Sequence, residues 1–325
     1  MHPNLIKSSY KVVNRRHIRV KVMQSIYAMH QNGSDNLEKE EKFLFYSIDN
    51  IQDLYLTMIS SLLEICKKEA EFLHKSSLKH LATPEERKPN EKFIKNSIFQ
   101  ILAENNSLSI ALETRKIDAW TLHEDYISLL LNAIKASSFY TQYMAKSTTS
   151  FEEDRQLIVD LFAEVIAPNE KLYEFLEDDK LTWIDDIPLV NTQILKQLKA
   201  FQPIMDDDFA VPKVYKDSDD KAFVKDLFRK TILNESELGK EFADKTPNWD
   251  SDRIAEIDTI ILKMAICEFL KFPSIPVKVT LNEYLELAKE YSTPKSSIFI
   301  NGILDNLVKE LESNKKMLKT GRGLM

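Results

Sequence analysis

Glycine is scarce in this chain, with only five residues among 325. These glycines never cluster after a strand pattern, which excludes a glycine-rich loop for binding phosphate. Charged residues make up 29% of the sequence and are spread through long apolar periodicities. This composition is typical of a helical protein. We therefore predict an all-α fold.

Cysteine and long apolar runs are also rare. Cys66 and Cys267 both lie in apolar helical patterns, which predicts buried free thiols in a reducing compartment. No stretch approaches 18 uncharged residues, and the N-terminus has no apolar run long enough for a signal peptide. We expect a soluble, cytoplasmic protein that binds no membrane.

Acidic residues are missing from the first 31 positions, although the whole chain has a formal net charge of -7. The basic residues of this stretch are Lys7, Lys11, Arg15, Arg16, Arg19 and Lys21. A basic segment on an acidic body fits nucleic-acid binding. The alternative is a charged terminus that is simply solvated.

A first helix is predicted to begin after Asn14, which is a good N-cap. Its apolar face would consist of Ile18, Val22, Ile26 and Met29. Arg15, Arg16 and Arg19 fall in the first turns, where positive charge opposes the helix dipole. Free backbone amides and arginines at the start of a helix form a favourable binding site for phosphate. Alternatively, these arginines pair with acidic neighbours across a subdomain interface.

The middle of the chain contains several long helical patterns. One runs from Leu37 to about Leu78 without proline or glycine. After a linker at Pro84 to Asn90, helices are predicted from Asn90 to Asn105 and from Asp118 to about Lys146. Ser150 and Glu153 form a capping box that opens a further helix.

A weak internal repeat links the two halves of the chain. With an offset of 66 residues, Trp183 corresponds to Trp249, and several helical positions around them also match. The repeat predicts a degenerate copy at about 150–200, although helical sequences also produce such coincidences.

The best domain boundary is Gln202 to Ser218, which is rich in proline and aspartate. Its three adjacent aspartates, Asp206 to Asp208, are interpreted as a solvated linker in preference to a magnesium site. The predicted divisions are a basic arm and first helix at 1–40, a helical insert at 41–205, a linker at 206–218, a core at 219–313 and a flexible basic tail at 314–325.

The stretch from Trp249 to Leu311 contains three helical patterns. The first is apolar around most of its circumference, which predicts a central helix, and it must end before Pro273. Thr280 and Glu283 predict a capping box for the second helix. Ser292 is the expected cap of the third helix, with Pro294 in its first turn.

Gly302 lies in the middle of the third helix. Glycine there costs about 1 kcal/mol relative to alanine. We therefore expect another backbone to approach Gly302 closely.

Short motifs in this stretch carry a resemblance to a known family. They are Ile257-Asp258, Leu262-Lys263, Ala265, Glu268, Ile275-Pro276, Lys278-Val279, Asn282-Glu283, Glu286 to Lys289, Ser296 and Phe299 to Asp305. In order and spacing they resemble the C-terminal half of the NusB transcription antitermination proteins. Arg15 to Arg19, followed by Gln24 and Tyr27, is similar to the family's arginine-rich helix. The two regions cover about a third of the chain, which is much longer than an ordinary NusB protein.

The resemblance implies a NusB-like helical bundle of two subdomains with a long helical insertion. It implies binding of single-stranded boxA-like RNA jointly with NusE, a small-subunit ribosomal protein, and with the RNA polymerase elongation complex, mainly in ribosomal RNA transcription. By resemblance to the family, the predicted RNA contacts are Lys11, Arg15, Arg16, Arg19, Tyr27, Ser296, Phe299 and Asn301. By the same resemblance, Lys295 and Glu283 are the predicted contacts with a protein partner.

The sequence departs from the family pattern in one place. Relatives often have an acidic residue just before the serine of the last helix, whereas Pro294 and Lys295 precede Ser296 here. Ser297 and Ile298 stand at positions where some relatives have basic residues. We therefore expect RNA affinity to depend more on the N-terminal helix.

No catalytic signature is visible, so we predict a non-enzyme that needs no cofactor and no metal. Two alternatives remain: a helical interaction scaffold without RNA binding, and a NusB-like domain of an RNA-modification system. Ribosomal RNA methyltransferases with such a domain are disfavoured, because no glycine-rich region for S-adenosylmethionine follows.

Overall fold

The computed structural model describes residues 12–203, 211–243, 245, 255–317 and 319–320. The regular elements of this part of the chain are sixteen α-helices, one π-helical turn and one 3-10 helix, which confirms the all-α prediction. None of the helices found there is long and apolar enough to cross a membrane. Lys11, Trp249 and Asp206 to Asp208 lie outside the described residues.

In chain order the helices are α1 (Arg15–Gln31), α2 (Leu37–Ser77), α3 (Pro84–Arg87), α4 (Ser97–Ala103), α5 (Asn106–Arg115), α6 (Ala119–Leu122), α7 (Glu124–Ala136), α8 (Ser138–Ala145), α9 (Phe151–Leu161), α10 (Glu170–Asp179), α11 (Ile187–Ala200), α12 (Ser218–Leu233), α13 (Glu235–Ala243), α14 (Glu256–Lys271), α15 (Val277–Tyr291) and α16 (Pro294–Ser313). The π-helical turn is Phe162–Ile166, and the 3-10 helix is Leu181–Asp186.

The chain divides into two compact units. The terminal unit consists of Val13–Ile48 and Tyr215–Met325, and the central unit consists of Met1–Val12 and Asp49–Val214. Helix α2 begins in the terminal unit and continues into the central one.

Buried polar contacts to α2 organise the central unit. The indole nitrogen of Trp183 donates to the Asn50 carbonyl at 2.9 Å, and that of Trp120 donates to the Thr57 carbonyl at 2.9 Å. The Tyr55 hydroxyl is bonded to Gln197 on α11. Because buried polar groups need partners, these bonds set where the surrounding helices can pack.

A buried carboxylate fixes the start of α4. Asp154 on α9 accepts from the Ser97 amide at 2.9 Å, from the Ser97 hydroxyl at 2.6 Å and from the Tyr143 hydroxyl at 2.7 Å. Burial alone would raise the pKa of Asp154, but these hydrogen bonds outweigh burial and leave that pKa below its ordinary value. Asp154 therefore joins α4, α8 and α9.

The helix predicted from Leu37 to about Leu78 is confirmed, but two other long predictions are wrong. The segment from Asn90 to Asn105 contains only the short α4, because the Asn96 side chain caps that helix at Ile98. The segment from Asp118 to Lys146 is broken into α6, α7 and α8. Asn96 and Ser137 bond nearby amides at the starts of α4 and α8, which interrupts helices that apolar spacing alone would continue. The break at His123, between α6 and α7, has no side-chain cap bond.

Three cap predictions have different outcomes. The capping box of Ser150 and Glu153 is present. The box at Thr280 is absent, because α15 already begins at Val277 and the Thr280 hydroxyl donates to Glu268 at 2.7 Å. For α16, Pro294 is in the first turn as predicted, but the cap is Thr293 instead of Ser292.

Helix α14 forms the centre of the terminal unit, as its apolar circumference predicts. Its buried residues include Ile260, Ile261, Met264, Ala265 and Cys267. Burial raises the pKa of the Cys267 thiol to about 11. Cys66 is only partly buried.

The basic C-terminal segment was expected to be flexible, but two of its described residues are bonded to the end of α14. The Lys319 ammonium donates to the carbonyls of Glu268 and Phe272, each at 3.0 Å, and the Thr320 amide donates to the Pro273 carbonyl at 3.0 Å. A lysine suits a helix C-terminus, where carbonyls lack partners. Burial lowers the pKa of Lys319.

The expectation of a close backbone contact at Gly302 is wrong. Gly302 is exposed, and a Cβ placed on it meets no atom within 4 Å. The glycine therefore weakens α16 without any gain from packing in the described structure.

We predict that Gly302→Ala stabilises the protein by about 1 kcal/mol, because alanine is the better helix former and has room. Gly33→Ala is the matched control. Gly33 has φ of +58°, so alanine there should destabilise the protein by about 1 to 2 kcal/mol. Denaturant unfolding of both variants measures the two changes, and a destabilised Gly302→Ala variant would contradict the first.

Candidate nucleic-acid interface

A cleft of about 430 Å³ lies where α1 and α15 begin. Its lining residues all belong to the terminal unit: Asn14, Arg15, Arg16, Arg19, Ser274, Ile275, Pro276, Val279 and Glu283. The cleft therefore brings the N-terminal arginines next to the joint between α14 and α15.

Both helix starts contribute positive partial charge to the cleft. Asn14 caps α1 as predicted, since its side chain accepts from the His17 amide at 2.9 Å. Pro276 is the N-cap residue of α15 and provides no side-chain hydrogen bond. Neither helix has an acidic residue in its first turn. The positive ends of two helix dipoles thus lie beside the arginines, which favours an anionic ligand.

Arg15 is loosely held at this site. Its side chain is 43% exposed, and its Nε lies 3.2 Å from an Oδ1 atom of the buried Asp220. The guanidinium carbon is 5.1 Å from the centre of the Phe223 ring, in a cation-π arrangement. The aromatic contact orients the guanidinium while leaving part of it open to solvent.

Arg16 is 45% exposed and makes a two-pronged ion pair with Glu283. The Nε and Nη2 atoms each donate to a Glu283 carboxylate oxygen at 3.0 Å. These hydrogen bonds raise the pKa of Arg16, and the charges of Glu286 and Glu290 act in the same direction. The family resemblance predicts Glu283 as a contact with a protein partner, but in this structure its carboxylate binds Arg16.

Arg19 is buried, with a side chain only 2% exposed. Its Nε and Nη2 donate to Glu268 at 2.9 and 2.8 Å, and Glu268 is fully buried. Glu268 also accepts from the Thr280 hydroxyl at 2.7 Å and the Tyr284 hydroxyl at 3.2 Å. This burial conflicts with the interpretation of Arg19 as an RNA contact. Arg19 instead joins α1 to α14 and α15.

All three arginines therefore have acidic partners, which agrees with the pairing in the alternative interpretation, whereas its placement of the pairs across a subdomain interface stays a prediction. The partners lie within the same terminal unit. Arg15 and Arg16 differ from Arg19 because nearly half of each side chain remains exposed. Only these two can present their guanidinium groups to a ligand in the cleft without breaking the core.

The other predicted contacts do not line this cleft. Tyr27 is 40% exposed and lies eleven residues after Arg16, about three turns further along α1. Ser296 is buried, and its amide and hydroxyl are bonded to the Thr293 cap. Phe299 and Asn301 are partly buried, and Lys295 is exposed.

Sequence reasoning did not identify the apolar side of the cleft, formed by Ile275, Pro276 and Val279. A signal was present, since the two prolines between α14 and α15 mark a joint that must lie at the surface. Sequence spacing could not show that α1 begins at the same place.

Comparison with known proteins identifies the family. The NusB family model matches residues 192–309, which excludes α1 and most of the central unit. Three similar proteins all have the name transcription antitermination protein NusB. That of Salinibacter ruber is 40% identical over 109 residues, which are 34% of this chain and 68% of the relative.

The protein of Chloroherpeton thalassium is 40% identical over 105 residues, or 32% of this chain and 50% of the relative. That of Koribacter versatilis is 38% identical over 96 residues, or 30% of this chain and 66% of the relative. No solved structure matches the chain at a significant level. Because the chain covers more than two thirds of the Salinibacter protein at 40% identity, it belongs to the NusB family.

Proposed function

We propose that this protein is a transcription antitermination factor that binds single-stranded boxA-like RNA together with NusE. In this proposal the RNA and both proteins join the RNA polymerase elongation complex, mainly during ribosomal RNA transcription. The names of its relatives support antitermination. The protein acts in the cytoplasm by binding, without catalysis.

The observation that carries the RNA-binding proposal is the cleft with Arg15 and Arg16. Both guanidinium groups are partly exposed beside two helix starts that lack acidic residues. Arginine binds phosphate through paired hydrogen bonds and also stacks on exposed bases. These are the contacts that single-stranded RNA requires.

We place the protein-binding surface at the start of α16. Lys295 is exposed there, and Ile298 is 74% exposed. An apolar side chain surrounded by polar residues is a usual feature of a protein contact. Lys295 stands where relatives often have an acidic residue, so the partner would meet the opposite charge at this position.

We interpret the central unit as an insertion between α1 and the C-terminal helices of a NusB-like core. Two observations support this view: the chain divides into two compact units, and the family match begins only at residue 192. The proposed repeat at about 150–200 falls within the central unit.

We predict that replacing Arg15 and Arg16 together by glutamine weakens binding of single-stranded RNA. Each lost phosphate contact should also lower the slope of log affinity against log salt by about 0.7. Fluorescence anisotropy with a labelled boxA-like oligonucleotide, at several salt concentrations, measures both quantities. Because the two side chains are partly exposed, the melting temperature should change little.

The matched control replaces Lys240 and Lys309 together by glutamine. It removes the same two positive charges from exposed positions outside the cleft. It should keep most of the affinity. Equal losses in the two double variants would indicate general charge attraction only. An unchanged affinity and slope after Arg15 and Arg16 are replaced would favour the scaffold without RNA binding.

A further inference from the structure

The two sides of the cleft differ in chemistry. One side carries the guanidinium groups of Arg15 and Arg16, and the other presents Ile275, Pro276 and Val279. The volume of about 430 Å³ is within the range of roughly 300 to 1,000 Å³ that is usual for ligand pockets. A ligand that satisfies both sides must carry an anionic group next to a flat, largely apolar one.

A nucleotide of single-stranded RNA has these two parts, because its phosphate is anionic and its unstacked base has apolar faces. Val279 is 43% exposed, so its apolar surface is available in the first turn of α15. Paired bases in a duplex are stacked on both faces and could not lie against it. The cleft therefore suits an unpaired strand.

Glu283 occupies the position on Arg16 that a phosphate would take. Its two carboxylate oxygens accept from Nε and Nη2 of Arg16, and phosphate oxygens accept from the same edge of a guanidinium. Arg15 has one contact with its acidic partner, so it is easier to reach. A phosphate in the cleft must compete with Glu283 for Arg16.

We propose that the cleft binds one unstacked nucleotide of single-stranded RNA, with the phosphate at Arg15 and Arg16 and the base against Pro276 and Val279. Glu283 holds Arg16 in the free protein and releases it to the phosphate. This inference rests on the proposed function, since it takes RNA as the ligand. It adds the subsite, its base contact and the residue that limits its affinity.

Glu283→Gln tests the competition between carboxylate and phosphate. Removing the negative charge should raise affinity for a short single-stranded RNA by several-fold and at most about tenfold at low salt. Glu290→Gln is the control, because it makes the same charge change two turns further along α15. It should raise the affinity much less, since Glu290 does not line the cleft.

A double variant tests whether the gain passes through Arg16. When Arg16 is already glutamine, Glu283→Gln should give a clearly smaller gain. An unchanged or lower affinity of Glu283→Gln would overturn the competition, and so would an equal gain from Glu290→Gln. Circular dichroism on each variant shows whether the fold is kept. If Glu283→Gln alone is unstable, the affinity of the double variant is compared with that of Arg16→Gln.

Val279→Ser tests the base contact. It should weaken binding of ordinary RNA by about threefold to fivefold, while binding of the same oligonucleotide with its bases removed should not change. Leu233→Ser is the control, since Leu233 is an exposed apolar residue of the terminal unit that does not line the cleft, and it should leave binding of both oligonucleotides unchanged. Equal weakening for both oligonucleotides would overturn the base contact.

These results separate the subsite from the proposed function. If the wild-type protein binds RNA and loses affinity when Arg15 and Arg16 are replaced, but neither Glu283→Gln nor Val279→Ser has the expected effect, only the subsite is wrong. If the wild-type protein does not bind single-stranded RNA at any salt concentration, the proposed function and the subsite fail together.

Discussion

Arg19→Gln should destabilise the protein by about 3 to 5 kcal/mol, because it leaves the buried Glu268 carboxylate without its positive partner. The side chains of Arg19 and Glu268 are 2% and 0% exposed, so water cannot replace the lost interaction. Burial by itself lowers the pKa of Arg19, yet the hydrogen bonds and charge of Glu268 outweigh it and raise that pKa. The measurement is unfolding by denaturant, followed by circular dichroism.

Two further variants show whether charge is the cause. Arg19→Lys keeps the charge but loses the two-pronged geometry, so it should recover only part of the stability. Replacing Arg19 and Glu268 together by methionine removes both buried charges and should recover more. If Arg19→Gln lowers the free energy of unfolding by less than about 1 kcal/mol, the Arg19–Glu268 pair is accessible to solvent and the prediction is wrong.

Trp183→Ala should destabilise the central unit by about 3 to 5 kcal/mol and leave RNA binding nearly unchanged. The substitution empties a fully buried site and removes the hydrogen bond to the Asn50 carbonyl. Every residue that lines the cleft belongs to the terminal unit. Thermal unfolding and RNA titration below the melting temperature measure the two effects.

Trp183→Phe is the control, since it keeps most of the apolar volume and loses the indole donor. It should cost about 0.5 to 1.5 kcal/mol for the lost hydrogen bond, because the Asn50 carbonyl lies inside α2 and keeps its helical partner. Loss of RNA affinity in Trp183→Ala, in proportion to its instability, would show that the two units fold as one cooperative body. The insertion proposal would then need revision.

Local sequence determined many of the helices and some of their caps. The apolar circumference of α14 predicted a central helix, and Leu37 to Leu78 predicted a single long one, because helical periodicity depends only on residue type and spacing. Asn14 and the Ser150 to Glu153 pair were identified as caps for the same reason, since a cap bonds amides within three residues. The long helices predicted at Asn90 to Asn105 and Asp118 to Lys146 are wrong, in part because Asn96 and Ser137 bond nearby backbone amides and start new helices there.

Only the tertiary structure decided which arginines are exposed. Arg15, Arg16 and Arg19 look equivalent along the chain, but their acidic partners lie more than 200 residues away, at Asp220, Glu283 and Glu268. Thr280 and Glu283 illustrate the same limit, because a spacing that fits a capping box is used for contacts with Glu268 and Arg16. Sequence alone determined that a basic helix begins directly after Asn14. Packing of α1 against α12 and α14 decided that Arg19 is buried, while the other two arginines border a cleft beside the start of α15. Burial depends on such distant neighbours, which local spacing does not specify.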